Sequence, residues 1–136
     1  MGYSLDLSVF DFVTGAAYGM ALECCEILSP TVLINAIQKL PLLEELHLIM
    51  MPTLSPEDFE TIGISCRRLK SLTYNHCLAM LDDLSRHAVA IGENMPNLHY
   101  LRLCDHHIEN EGLEAILNGC PHLESLDLSG CTGLDL

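Results

Sequence analysis

The run Leu123-Glu124-Ser125-Leu126-Asp127-Leu128-Ser129-Gly130-Cys131 constrains this chain more than any other stretch. It has the form L-x-x-L-x-L-x-x-C, and it recurs. Leu98-His99-Tyr100-Leu101-Arg102-Leu103 is a second copy of its core. Leu69-Lys70-Ser71-Leu72-Thr73-Tyr74-Asn75-His76-Cys77 is a third, with Tyr74 in the third leucine slot. Leu43-Glu44-Glu45-Leu46-His47-Leu48 is a fourth. The leading leucines stand at 43, 69, 98 and 123, so the steps are 26, 29 and 25 residues. One more step of 26 upstream reaches Ala17, with Met20, Leu22 and Cys25 in the slots that follow. Within each copy apolar and polar residues alternate, the two-residue period of a strand with one buried face.

A second pattern precedes each copy. Leu33, Ala36, Ile37 and Leu40 are spaced i, i+3, i+4, i+7, and so are Phe59, Ile62, Gly63 and Cys66. Ala88, Ile91, Gly92 and Met95 repeat the spacing, as do Leu113, Ile116, Leu117 and Cys120. Each set places one apolar stripe on a helix. Ser29-Pro30 and Ser55-Pro56 supply a capping hydroxyl followed by proline at the first helical position, where its missing N–H costs nothing. Ser55 with Asp58 has the spacing of a capping box, and Asn110-Glu111 can cap the last helix. Pro41, Pro96 and Pro121 lie at helix ends or just past them.

Strand, turn and helix at this period make a leucine-rich repeat (LRR). The expected fold is an α/β LRR solenoid of about four and a half units, with parallel strands on the concave face and helices on the convex one. The repeat domain covers residues 17–136. In residues 1–16 the same frame sets Leu7, Phe10, Asp11 and Thr14 on a helical stripe. That segment reads either as a degenerate half-repeat over the open end of the stack or as disordered chain. The longer step puts about three extra residues in a loop around Leu78 to Ser85, where Asp82-Asp83 can cap the next helix. No C-terminal cap follows the final strand, so its edge is expected to be covered by another protein or continued in a longer product.

Composition narrows the function. Apolar residues make up 49% of the 136 and aromatic residues 5%, with no tryptophan. That suits repeats that bury thin ridges against their neighbours. Nineteen Asp and Glu against six Lys and Arg give a net charge of −13. Nucleic acid held by its phosphates is disfavoured, as is an anionic membrane surface, because both need basic side chains. A basic protein partner is steered favourably. Seven cysteines follow the repeat: Cys25, Cys77 and Cys131 share one slot, Cys66 and Cys120 another. Periodic cysteines read as small buried hydrophobes rather than a disulfide framework, and adjacent Cys24 and Cys25 could form only a strained bridge. Reduced thiols point to the cytoplasm or nucleus. The N-terminus lacks the basic residue of a signal peptide, and Phe12 to Leu22 is too short to span a bilayer. Asp6 stands where a myristoylation signal wants Ser or Thr.

The candidate site is the outward face of the strands. In L-x-x-L-x-L the leucines point inward, which leaves Glu45, His47, Ser71, Thr73, Asn75, Tyr100, Arg102, Ser125, Asp127 and Ser129 outward. A parallel sheet normally has both faces covered. A polar face on one suits recognition of another protein. Seven histidines raise a metal reading, with Cys104, His106 and His107 close together and His76-Cys77 one repeat earlier. No C-x-x-C or H-E-x-x-H accompanies them, and no metal or other cofactor is expected. His76-Cys77 diverge at a strand end, there is no G-x-S-x-G elbow, and no glycine-rich phosphate loop occurs. The chain therefore reads as a binding protein rather than an enzyme, with a thiol or metal hydrolase the weakest of the alternatives.

Leu40-Pro41-Leu42-Leu43-Glu44-Glu45-Leu46, Glu93-Asn94-Met95-Pro96-Asn97-Leu98 and above all Gly112-Leu113-Glu114-Ala115-Ile116-Leu117-Asn118-Gly119-Cys120-Pro121-His122-Leu123-Glu124-Ser125-Leu126-Asp127-Leu128 carry a resemblance. Over about residues 27–134 the chain resembles the LRR region of plant F-box/LRR proteins. In that family an N-terminal F-box docks on the Skp-type adaptor of an SCF ubiquitin ligase, and the repeats hold the protein to be ubiquitinated. The resemblance implies a substrate-receptor role for the outward residues. It leaves no room for an F-box before Ala17, so this chain alone is not expected to bind the adaptor. A stand-alone acidic LRR protein that wraps a basic partner, as some LRR inhibitors do, is the alternative. The periods here do not alternate as those inhibitors' do.

Overall fold

Among the described residues ten elements follow one another: β1 (Ser4–Asp11), β2 (Ala16–Glu23), α1 (Pro30–Ile37), β3 (Glu45–Met51), α2 (Pro56–Ser65), β4 (Ser71–His76), α3 (Ser85–Asn94), β5 (Tyr100–Arg102), α4 (Asn110–Gly119) and β6 (Ser125–Asp127). The computed structural model describes residues 4–11, 16–23, 29–51, 54–76, 83–104 and 106–134. The strands form one sheet in chain order, β1-β2-β3-β4-β5-β6. From β2 onward every neighbour is parallel, and the helices pack in the same order, α1 on α2, α2 on α3 and α3 on α4.

The register pairs equivalent slots. Leu46 lies beside Leu72, Leu72 beside Leu101, and Leu101 beside Leu126. Gly19 pairs with Glu45, the same step of 26 that leads from Leu43 back to Ala17. The segments beginning at 43, 69, 98 and 123 thus lead into neighbouring parallel strands, as their spacing predicts.

Residues 4–11 depart from the helical projection. They form β1, which runs antiparallel to β2 with irregular register around Val9. A strand there continues the ladder, so Leu7, Phe10 and Asp11 belong to an edge strand rather than to a helix. Thr14 lies outside the described residues, as do Cys24, Cys25 and Cys77.

The core lies between sheet and helices. Leu43, Leu46, Leu48, Leu69, Leu72, Tyr74, Leu98, Leu101 and Leu103 are buried from the strand side. Leu33, Phe59, Ile62, Ala88, Ile91 and Ile116 are buried from the helices. Two stripe positions differ from the sequence pattern. α1 ends at Ile37, and it buries Ile34 while Ala36 is exposed. Leu117 is 56% exposed, since α4 is the last described helix of the row and has a described helix, α3, on one side of it. Gly63 and Gly92 are in the stripe because helices touch there. A Cβ on Gly63 would meet the Asn94 backbone, and one on Gly92 the Ala115 carbonyl.

The helix starts follow local chemistry. Ser29 Oγ accepts from Val32 N–H at 3.3 Å. Ser55 and Asp58 complete a reciprocal box, Asp58 N–H to Ser55 Oγ at 3.1 Å and Ser55 N–H to the Asp58 carboxylate at 2.9 Å. Asp83 accepts from Ser85 N–H at 2.9 Å at the start of α3. At α4 the N-cap position is Glu109, with Asn110 already helical, and Glu109 makes no side-chain capping bond. The Glu109 N–H is instead satisfied by Ser85 Oγ at 2.9 Å from the preceding unit.

Among the described residues the tyrosine in a leucine slot has a hydrogen-bond partner and two ring partners. Tyr74 is fully buried, and its hydroxyl accepts from Leu54 N–H at 3.0 Å. Phe59 meets its ring edge-on at 5.0 Å, and His106 stacks on it at 5.9 Å. Tyr74→Phe leaves the Leu54 N–H without that acceptor, and unfolding by denaturant is expected to show a loss of about 1–3 kcal/mol. Gly92→Ala gains helix propensity worth about 1 kcal/mol. It also forces backbone against backbone, which typically costs about 1–3 kcal/mol or more. Because a backbone carbonyl yields less than a side chain, a lower melting temperature is expected in thermal unfolding.

Candidate functional site

Alternation along the strands sets one row of polar side chains above another. The first row reads Glu45, Ser71, Tyr100, Ser125 across β3 to β6, and the second His47, Thr73, Arg102, Asp127. Glu45, Tyr100, Arg102, Ser125 and Ser129 are exposed, while His47, Ser71, Asn75 and Asp127 are half-buried. Thr73 differs from the sequence expectation of an outward, available residue. It is only 8% exposed, flanked by the longer His47 and Arg102, and it shares a 2.9 Å hydrogen bond with His47 Nδ1.

A shallow depression of about 310 Å³ lies on this face. His47, Ser71, Thr73, Tyr100, Arg102, Ser125 and Asp127 line it, together with Ile49, Leu72 and Leu101. Glu45, Asn75 and Ser129 of the expected set lie beside it rather than in it. Ile49 is the residue that sequence reasoning missed. The same two-residue alternation that selects Glu45 and His47 selects it, but its apolar character hid it among the core positions.

The electrostatics of the face centre on Arg102 and Asp127. Arg102 Nε donates to Asp127 at 3.1 Å, and Ser129 donates to the other carboxylate oxygen through both its hydroxyl and its backbone N–H. The Ser129 hydroxyl bond is the main cause that lowers the Asp127 carboxyl to about 2, with the Ser129 N–H next and Arg102 a smaller contributor. The ion pair is open to water, so its role is orientation of the guanidinium more than stability.

Buried thiols of the repeat lie against backbone carbonyls. Cys66 donates its thiol to the Leu40 and Ile37 carbonyls, and Cys120 to the Met95 carbonyl. These thiols in one slot add a second, weak donor to carbonyls that already accept a backbone N–H at the end of the helix one unit earlier. Burial pushes the Cys66 thiol up to about 11 and raises Cys120 as well. Such thiols are poor nucleophiles. Cys66, Cys104, Cys120 and Cys131 carry thiols rather than disulfides. Cys104, His106 and His107 do not converge: His106 is buried against Tyr74, and Cys104 points to the Asp127 carbonyl. Among the described residues Asp83, His107 and Glu109 bring their ligand atoms within 4.8 Å of one another. Each is already engaged, Asp83 with Ser85, and His107 with Thr132 at 3.2 Å and Glu109 at 3.5 Å. Among the described residues no helix is long and apolar enough to cross a membrane.

Equivalent parallel strands in chain order, each preceded by a helix or by the chain's first hairpin, with leucines inward and polar residues outward, are the architecture of an LRR protein. Comparison with known proteins narrows the class. Residues 38–135 match the family described as "FBD-associated F-box protein At5g56370, LRR repeats". The chain is similar to "Putative F-box/LRR-repeat protein 22" of Arabidopsis thaliana, 45% identical over 102 residues, 75% of this chain and 33% of that protein. It is 36% identical over 115 residues to "Putative F-box/LRR-repeat protein 9" of the same plant, 85% of this chain and 46% of that protein. It is also 40% identical over 104 residues to Arabidopsis F-box protein SKIP19, 76% of this chain and 33% of that protein. The chain belongs to the plant F-box/LRR-repeat family. It spans between about a third and just under a half of the length of these relatives.

The lowered Asp127 value has a pH consequence. Its carboxylate is favoured in the folded chain, so it contributes stability above the unfolded value of about 4, and this is lost as pH falls toward about 2. A carbon-detected NMR titration is expected to show the Asp127 carboxyl titrating near that lower value. In Ser129→Ala the midpoint is expected to move back up toward the ordinary carboxylate range.

Proposed function

We propose that this chain is the substrate-binding LRR part of an SCF-type ubiquitin-ligase receptor, working in the cytoplasm or nucleus and without catalytic chemistry of its own. In this reading the strands curve into the concave face of a solenoid, and the helices form its convex side. The repeats hold the target protein, and the Skp-type adaptor is contacted by F-box sequence rather than by these residues. One observation carries the reading: in a chain of this family, a polar face stays uncovered from β3 to β6, with Tyr100 and Arg102 exposed at its middle. Tyrosine and arginine are the side chains that most often dominate the energy of protein interfaces. Among the described residues, the Cys66 and Cys120 thiols are buried and held protonated and His106 is buried against Tyr74, which supports a binding role over a catalytic one.

A second reading, a stand-alone binding protein for a basic partner, is favoured by the net charge of −13. Its mark is affinity that falls steeply with salt.

The test joins the chain behind an F-box segment in a reconstituted SCF ligase and follows ubiquitin transfer to proteins that the repeats capture. Tyr100→Ala and Arg102→Ala are expected to cut transfer to a captured target by about tenfold or more. Glu114→Ala, on the exposed side of α4, is expected to leave it unchanged. Transfer by both sheet-face variants at the rate of the parent chain would overturn the assignment of this face.

A further inference from the structure

Three of the chain's six Lys and Arg side chains stand within four residues, at Arg67, Arg68 and Lys70. They occupy the turn between α2 and β4, at the edge where strands begin. The ladder starts one residue before each strand there. His99 N–H donates to the Lys70 carbonyl at 2.7 Å, and Glu124 N–H to the His99 carbonyl at 2.7 Å. Successive units therefore bring their turn residues side by side, and the His99 and His122 rings stack with centroids 6.0 Å apart. A groove of about 500 Å³ runs along this edge, lined by the three cations with Glu44, Asn97, His99 and His122. It shares no residue with the depression on the sheet face.

Charge is what sets the groove apart. The chain carries nineteen acidic residues, yet among the described residues neither the Arg67 nor the Arg68 guanidinium pairs with a carboxylate. Lys70 pairs with Glu44 at 3.3 Å, and Glu124 bonds His99 at 3.0 Å rather than the arginines. Asn97 fixes the turn by donating to the Arg67 carbonyl at 2.8 Å. A guanidinium fork matches a carboxylate with two parallel hydrogen bonds, and exposed arginines are available for that geometry.

We propose that this groove binds a short acidic segment of a protein partner, its carboxylates held by Arg67, Arg68 and Lys70. Length selects the occupant. From the β3 unit to the β6 unit is three strand spacings, about 14 Å, which an extended chain covers in about four residues. A longer polyanion such as a nucleic acid would run off the groove onto a surface whose net charge is −13. This surface lies outside the sheet-face reading, with which it shares no residue.

Fluorescence anisotropy with a labelled tetraglutamate peptide and the full 136-residue chain tests it. Saturable binding at low salt is expected, weakening as salt rises. Arg67→Glu with Arg68→Glu is expected to lower affinity by about tenfold or more, with far-UV circular dichroism confirming the fold. Glu44→Gln removes the competing carboxylate from Lys70 and is expected to tighten binding, a gain that mere structural damage does not produce. Arg102→Glu, on the other face, is expected to leave peptide affinity within about twofold. The proposal is overturned by absence of saturable binding, or by equal affinity in the doubly reversed chain. Tighter binding of inorganic phosphate or a single-stranded oligonucleotide than of the peptide overturns it too. A result on ubiquitin transfer by the sheet-face variants leaves this outcome untouched.

Discussion

Register in the parallel ladder is the constraint from which everything else in this molecule follows. One strand and one helix cannot bury their own leucines, because each is exposed on two sides. Burial comes from the next unit. Leu46, Leu72 and Leu101 lie level across three strands and are almost wholly excluded from water. Each such side chain contributes roughly 1.5–3 kcal/mol when fully buried. A slip of one residue would turn each of them to the opposite face. The alternation that buries the leucines also sets the polar rows, so the core and the polar face are two results of one register.

Stacking thin units leaves backbone groups to satisfy at every joint, and the sequence spends its unusual residues there. The Cys66 and Cys120 thiols sit against carbonyls of the unit before. Ser85 caps its neighbour's chain at Glu109. Tyr74 replaces a leucine and reaches Leu54 N–H, and in doing so gathers Phe59 and His106 around its ring. Glycine recurs where helices touch, at Gly63 and Gly92, because backbone lies within the reach of any added Cβ. The Cys66 thiol, held protonated by desolvation, serves as a packing element between units.

The surface divides by charge along a structural line. Acidic residues dominate the chain, yet the turn edge before β4 concentrates cations, and the sheet face holds a single oriented guanidinium at Arg102. One small sheet thus presents two surfaces of different character. Each surface is assembled from several units, so neither exists in an isolated repeat.

Much of this was written in the chain itself. The returning leucines determined that the segments at 43, 69, 98 and 123 would pair, and the Ser-Pro starts determined two helix caps, because both rest on short-range periodicity and local hydrogen bonds. Tertiary structure alone decided the rest. Residues 4–11 joined the sheet because an edge strand offers partners that an isolated helical stripe lacks. Thr73 became buried because its ladder neighbours are long, although its slot faces outward. Ala36 and Leu117 stayed exposed because an apolar stripe is covered only where a neighbouring helix arrives. His99 and His122, separated by 23 positions, came to stack through register. Periodicity states which way a side chain points; only the packed neighbours state what it meets.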